Sequence, residues 1–295
     1  MGMDPAGRVV RSTARPHSET SRRAPIRTFL YTVDGVTIDS VYDPPAVVYD
    51  ASAPPPRDLV FVIAHGFTGD VDRPHVRRVV KTFTRYGAVV TFSFRGHGAS
   101  GGRSTVGDRE VLDLAAAVAW ARELGHARVT TIGFSMGGSV ALRHAALYRP
   151  EGGLDGGPDR AGRTGAHTDA VVSVSAPARW YYRGTAPMRR LHWLVTRPEG
   201  RLVGRYGFRT RIHHREWNPV PLSPVEAVPR IAPTPLLLVH GDRDGYFPVD
   251  HPRMLATAAG DHGELWLEPG MGHAEHAATD ELLARIGYWA AARGG

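Results

Sequence analysis

Apolar positions along the chain change period in a regular way. Leu59-Val60-Phe61-Val62-Ile63 is an unbroken apolar run, the mark of a strand buried on both faces. Val76, Val79, Val80 and Phe83 then fall at i, i+3, i+4 and i+7, one stripe of a helix. Ala88 to Phe94 reads as the next strand, and Val111, Leu114, Ala115 and Val118 as the next helical stripe. Val129 to Gly133 is a strand and Met136 to Arg149 a helix; strand-like runs follow at Ala170 to Val174 and Leu236 to His240. A helix near Pro252 to Ala259, a strand at Glu264 to Leu267 and a helix from about Thr279 close the pattern. Strands separated by crossover helices predict an α/β fold, a mostly parallel central sheet with helices on both faces.

Four segments depart from this rhythm. Phe29 to Val33 and Val36 to Tyr42 flank Asp34-Gly35, a dipeptide suited to a two-residue turn, so an antiparallel hairpin is expected to open the fold. Residues 1–27 have no apolar run after Arg22-Arg23 and read as a disordered leader rather than a secretory signal. Glu151 to His167 is Gly-rich with scattered Asp and Arg, a flexible surface loop. Pro177 to Pro233 is too long for a bare connection and carries Trp180, Tyr181, Tyr182, Trp193 and Trp217, so it reads as a small inserted cap. The expected organisation is a core of residues 28–176 and 234–295 with a cap at 177–233.

Composition narrows the chemistry. With no Cys among 295 residues, thiolate nucleophiles, disulfides and sulfur-ligated zinc are excluded. A net charge of +7 raises the possibility of nucleic acid, but Lys81 is the single lysine, the arginines are scattered, and no nucleic-acid motif is present. No run approaches the roughly 20 apolar residues of a membrane span. The reading is a cytoplasmic protein with no nucleic-acid or membrane partner.

Gly133-Phe134-Ser135-Met136-Gly137 has the form GxSxG where a buried strand passes into a helix. A serine presented on such a turn needs glycines around it because the backbone is tight, and it needs a base and a carboxylate to become nucleophilic. A capped strand-to-helix turn would be the bland explanation, but suitable partners follow in order. His273 lies just after the last expected strand, in Gly270-Met271-Gly272-His273-Ala274, and the loop His240-Gly241-Asp242-Arg243-Asp244 offers two acids. His213-His214 suggests a metal, yet neighbouring residues point apart and no carboxylates accompany them, so no metal site is assigned.

The order Ser, Asp, His is that of α/β-hydrolases. From about residue 29 to 293 the chain resembles the serine-type members of that superfamily, most closely capped carboxylesterases of the cinnamoyl/feruloyl-esterase kind. His65-Gly66-Phe67-Thr68-Gly69, Arg95-Gly96-His97-Gly98-Ala99-Ser100, the nucleophile turn and the His240–Asp244 run carry the likeness. Ser93 departs from it, because such proteins usually have Asp two residues before the Arg, which removes Arg95's usual partner.

The resemblance implies an α/β-hydrolase fold with Ser135 as nucleophile, His273 as base and Asp244 as acid, from the pattern HGxxD, leaving Asp242 to stabilise the turn. It also implies an oxyanion hole from the N–H groups of Phe67 and Met136, structural roles for His65 and His97, and no cofactor. The expected reaction is hydrolysis of a small-molecule carboxylic ester or thioester. Acyl transfer, a lyase or cyclase reaction, and a non-catalytic binding role are the alternatives. Trp180, Tyr181, Tyr182 and Trp193 are expected to include residues facing the pocket. The Arg-rich cap reads as a solvated surface, with an anionic substrate group or an acidic carrier protein as the sharper reading.

Overall fold

The run Leu59 to Ile63 becomes the strand β3 (Leu59–Ala64), and its alternate side chains explain why every position is apolar. Val60, Val62 and Ala64 enter one core cluster and Leu59, Phe61 and Ile63 the other, one on each face of the sheet. The computed structural model describes residues 24–46, 58–149 and 165–293. The leader up to residue 23 and most of the Gly-rich loop therefore lie outside the described residues.

Eight strands form one sheet among the described residues: β1 (Ile26–Tyr31), β2 (Thr37–Asp43), β3, β4 (Ala88–Phe92), β5 (Arg128–Phe134), β6 (Ala170–Val174), β7 (Leu236–Gly241) and β8 (Gly263–Glu268). The order is β1-β2-β4-β3-β5-β6-β7-β8. β1 and β2 are antiparallel to each other, β2 is antiparallel to β4, and the remaining pairs are parallel. Helices α1 (Pro74–Phe83) and α8 (Asp280–Ala292) cover one face through Val79, Val80, Phe83, Leu283 and Ile286. Helices α2 (Glu110–Glu123), α3 (Met136–Leu147) and α7 (Asp250–Ala259) cover the other through Leu114, Val118, Val140, Leu142 and Leu255. No helix among the described residues is long and apolar enough to cross a membrane.

Three boundaries differ from expectation. Ile26 and Arg27 belong to β1 rather than to a leader, since Arg27 Nε donates to Asp39 Oδ1 at 2.9 Å and NH1 to Asp72 Oδ1 at 2.9 Å. The hairpin loop is longer than two residues. Thr32 N–H donates to Val36 C=O at 2.9 Å, so Val33, Asp34 and Gly35 form the turn, and the Asp34 carboxylate is drawn onto Arg95.

The third boundary concerns the insert. Between β6 and β7 the chain forms α4 (Ala186–Thr196), α5 (Pro198–Gly207) and the short α6 (Pro224–Ala227). Ala227, Val228 and Ile231 are buried in the main core cluster, so the end of the 177–233 segment is part of the body of the protein. Bridges His97↔Thr210 and Ser104↔Ile212 tie the middle of the insert to the loop after β4.

That loop is pinned by a buried ion cluster, which answers the question left by Ser93. Arg95 Nε and NH2 donate to Asp113 Oδ1 at 2.9 and 2.8 Å, and its NH1 donates to Asp34 Oδ2 at 2.8 Å. Burial works against the charged guanidinium, but the hydrogen bonds of Asp34 and the charge and hydrogen bonds of Asp113 outweigh it and raise its pKa. Ser93 serves elsewhere, its Oγ accepting from Val71 N–H at 3.1 Å.

Candidate active site

All six parallel strands, β3 to β8, end on one edge of the sheet, the edge where α/β sheets hold ligands. Ser135 stands between β5 and α3 with φ 52° and ψ −115°, a left-handed conformation costly for a residue with a Cβ. The crowding that holds it there is visible at the neighbouring glycines. A Cβ on Gly133 would collide with the Gly137 carbonyl, and one on Gly137 with the Ala64 carbonyl. Side chains at either position would force the turn open, which is why the motif reads GxSxG.

His273 and Asp244 meet this serine from the loops after β8 and β7. His273 Nε2 lies 2.9 Å from Ser135 Oγ, and Nδ1 lies 2.8 Å from Asp244 Oδ2. The other carboxylate oxygen, Asp244 Oδ1, accepts from Tyr246 N–H at 2.8 Å and Phe247 N–H at 3.0 Å, which fixes the carboxylate plane. Burial opposes the Asp244 charge, but the hydrogen bond and charge of His273, the Phe247 N–H and His240 outweigh it and hold the carboxyl below its ordinary value. An ionised Asp244 requires Nδ1 of His273 to carry the proton, leaving Nε2 as the acceptor facing Ser135. Tyr246 stacks on the imidazole with ring centres 4.2 Å apart. Asp242 is exposed and turned away; its Oδ1 accepts from Gly270 N–H at 2.7 Å.

Phe67 and Met136 both border the same cavity as Ser135. Met136 opens α3, so its N–H has no partner within the helix. The Phe67 loop is held from several sides. Gly66 N–H donates to the buried Glu275 Oε1 at 3.1 Å, and Gly69 N–H donates to Gly66 C=O at 3.0 Å. His65 supports it from below, its Nδ1–H donating to Gly66 C=O at 2.7 Å while Nε2 accepts from Phe94 N–H at 3.0 Å. Burial and the nearby His97 push the His65 pKa down to about 3, so the ring stays neutral and acts as a brace. His97 is likewise buried, at about 4, and its Nδ1–H donates to Arg95 C=O at 3.0 Å.

Above Ser135 is a cavity of about 390 Å³. Trp180, Tyr181 and Tyr182 line it, and Trp193 does not. Met188, Leu191, His192 and Val195 line it from α4, with spacings of three, one and three residues that define a single helical face; Trp193 falls on the opposite side and is half exposed. The aromatic count of the insert pointed to Trp193, whereas the helical period at 188–195 was the better signal. The wall that sequence reading missed comes from Thr105, Val106, Trp217 and Phe247. Trp217 Nε1–H donates to Thr105 C=O at 2.7 Å, and Trp180 packs on Trp217 with ring centres 5.1 Å apart. His213 and His214, to which the sequence assigns no metal site, also border the cavity.

Among the described residues, His75, Glu275 and His276 form a group that could hold a metal ion, their donor atoms within 4.8 Å of one another. Neither Ser135 nor His273 belongs to it. Glu275 already accepts the Gly66 N–H, so this group braces the Phe67 loop as it stands.

A family model described as the alpha/beta hydrolase family matches residues 59–286, which takes in every strand of the parallel sheet and all three groups around Ser135. The chain belongs to the alpha/beta hydrolase family. Within it, the chain is 28% identical over 249 residues to a monoacylglycerol lipase of Mycolicibacterium smegmatis, covering 77% of this chain and 85% of that protein. An esterase of Pyrococcus furiosus superposes with a TM-score of 0.66 at 23% identity, covering 92% of this chain and 94% of that one. The esterase domain of a Rhodothermus marinus protein does so at 0.60 and 20% identity, covering 92% and 100%. At these identities the structural likenesses speak for the fold of this hydrolase.

Proposed function

We propose that this hydrolase cleaves a carboxylic ester through an acyl-enzyme, with Ser135 as nucleophile, His273 as general base and Asp244 as the orienting acid. The observation that carries the reading is the unbroken chain from Asp244 Oδ2 through His273 to Ser135 Oγ, at 2.8 and 2.9 Å, opening onto an apolar-walled cavity. The lipase and esterase names of its relatives support an ester as the bond cleaved.

Ser135 Oγ attacks the ester carbonyl as its proton passes to His273 Nε2, and the carbonyl oxygen takes the negative charge. The N–H groups of Phe67 and Met136 receive that oxyanion; losing one such donor in a protease slowed turnover by about 10²–10³-fold. Collapse of the tetrahedral intermediate breaks the C–O bond, and His273 returns its proton to the departing alcohol. Water, deprotonated by the same Nε2, then cleaves the acyl-enzyme and restores Ser135. Every proton in this cycle moves between Ser135, His273, water and the alcohol. A thioester would follow the same path with a thiol leaving. The insert between β6 and β7 acts as a cap, with Trp180, Tyr181 and Tyr182 closing the site from above.

A fluorophosphonate probe tests this directly, because phosphorus meets the same nucleophile, base and oxyanion donors. One probe per chain is expected on the peptide that contains Ser135, read by mass spectrometry, and none on Ser135→Ala. Labelling that persists in Ser135→Ala would overturn the assignment.

A further inference from the structure

The cavity over Ser135 is apolar on most of its wall and cationic on its rim. Arg179, Arg183, Arg201 and Arg215 border it with Glu216 as the one carboxylate, a formal charge of +3 with histidines neutral. These arginines are not equivalent. Arg179 NH2 faces Asp250 Oδ2 at 3.4 Å, so its charge is answered. Arg201 uses NH1 to donate to Thr196 C=O at 2.8 Å and Val195 C=O at 3.4 Å, at the end of α4, leaving the rest of its guanidinium uncommitted. Arg215 has no side-chain hydrogen bond or ion pair among the described residues, and Glu216 beside it forms no ion pair with either Arg201 or Arg215.

The field these charges make is felt by their neighbours. His214 is held below its ordinary value by desolvation and then by the charges of His213, Arg215, Arg103 and Arg201. His192, across the cavity, is lowered by burial and then by Arg183. Protein groups therefore leave this rim short of negative charge, in contrast to sites such as Arg27, which is met by Asp39 and Asp72, and Arg77, which is met by Asp43.

We infer that Arg201 and Arg215 form an anion subsite at the mouth of the cavity, so that the preferred substrate joins an apolar chain to a terminal carboxylate or phosphate beyond the ester that Ser135 attacks. The apolar wall takes the chain and the guanidiniums take the charged end, a geometry suited to the paired oxygens of either anion. This inference rests on the ester-hydrolase reading.

Hydrolysis of p-nitrophenyl hemiesters of adipic and suberic acid, compared with p-nitrophenyl hexanoate and octanoate of matched chain length, tests it. At low ionic strength kcat/KM should favour at least one hemiester over its neutral counterpart by about tenfold, the scale of one charge-assisted pair at a partly open site. The preference should shrink as NaCl screens it. In Arg215→Gln the ratio should fall close to one, and Arg215→Lys should keep part of it. Arg215 is the variant of choice because Arg201 also caps α4 and its loss can disturb the insert. Competitive inhibition by octanoate against octyl phosphate separates the two anions, the tighter inhibitor naming the group.

Neutral esters turned over with Ser135 labelled, but with hemiesters equal or slower, overturns the subsite alone. A preference that survives Arg215→Gln unchanged also overturns it. If no ester is cleaved and Ser135 takes no fluorophosphonate, the hydrolase reading falls first and the subsite with it.

Discussion

Asp244→Asn is expected to lower kcat on an activated ester by about 10⁴-fold, the loss seen when the orienting acid of a serine protease is made an amide. The geometry gives the reason. Asp244 Oδ1 is held by two backbone N–H groups, so an asparagine would keep its carbonyl there and turn its NH2 toward His273 Nδ1. That nitrogen would then have to accept, the proton would move to Nε2, and the ring would meet Ser135 Oγ with a donor where a base is needed. Fluorophosphonate labelling should slow without vanishing, since nucleophile and oxyanion donors remain. Asp242→Asn is the matched comparison. It weakens one exposed hydrogen bond to Gly270 and should lower stability by about 1 kcal/mol or less, with turnover close to that of the parent. Steady-state kinetics on the two variants decide the matter: near-normal turnover in Asp244→Asn together with an inactive Asp242→Asn would refute the assignment.

The second large effect is on stability. Arg95→Met should lower the free energy of unfolding by about 3–5 kcal/mol in urea titrations, because it leaves the carboxylate of Asp113 buried without its cation. Asp113 is 0% exposed and Arg95 2%, so water cannot replace the lost partner without opening the packing between β4 and α2. Asp34, at the hairpin turn, loses its two hydrogen bonds from Arg95 in the same variant. Asp34→Asn alone should be much milder, since Asp34 is partly open to solvent and Arg95 keeps Asp113. A loss of less than 1 kcal/mol in Arg95→Met would show that the cluster contributes little to holding the loop after β4.

What could be read from the chain directly was whatever depends on neighbours in sequence. The apolar run of β3, the helical stripes of α1 and α2, and the glycines around Ser135 each follow from local backbone geometry and local burial, and each was found in place. The order of Ser135, Asp244 and His273 was equally legible because each sits at the end of a strand, and strand ends are marked by the change from apolar runs to Gly-containing loops.

Other features exist only once the sheet has assembled. Arg95 finds Asp34 and Asp113, 61 and 18 residues away, because β2 pairs beside β4 and α2 packs beneath the loop; no local pattern distinguishes these two acids from the rest. The hairpin turn is longer than Asp34-Gly35 alone would suggest because Asp34 is engaged by that same cluster. Trp193 carries a ring suited to a pocket wall, but the helical period of α4 turns it outward and brings Met188, Leu191, His192 and Val195 over the cavity. The end of the insert looked like more cap, yet Val228 and Ile231 are drawn into the main core. Periodicity records which face of an element is buried, and motifs record tight local turns. Which face of one element meets which residue of another depends on long-range packing, and that information is spread over residues too far apart in the chain to form a pattern.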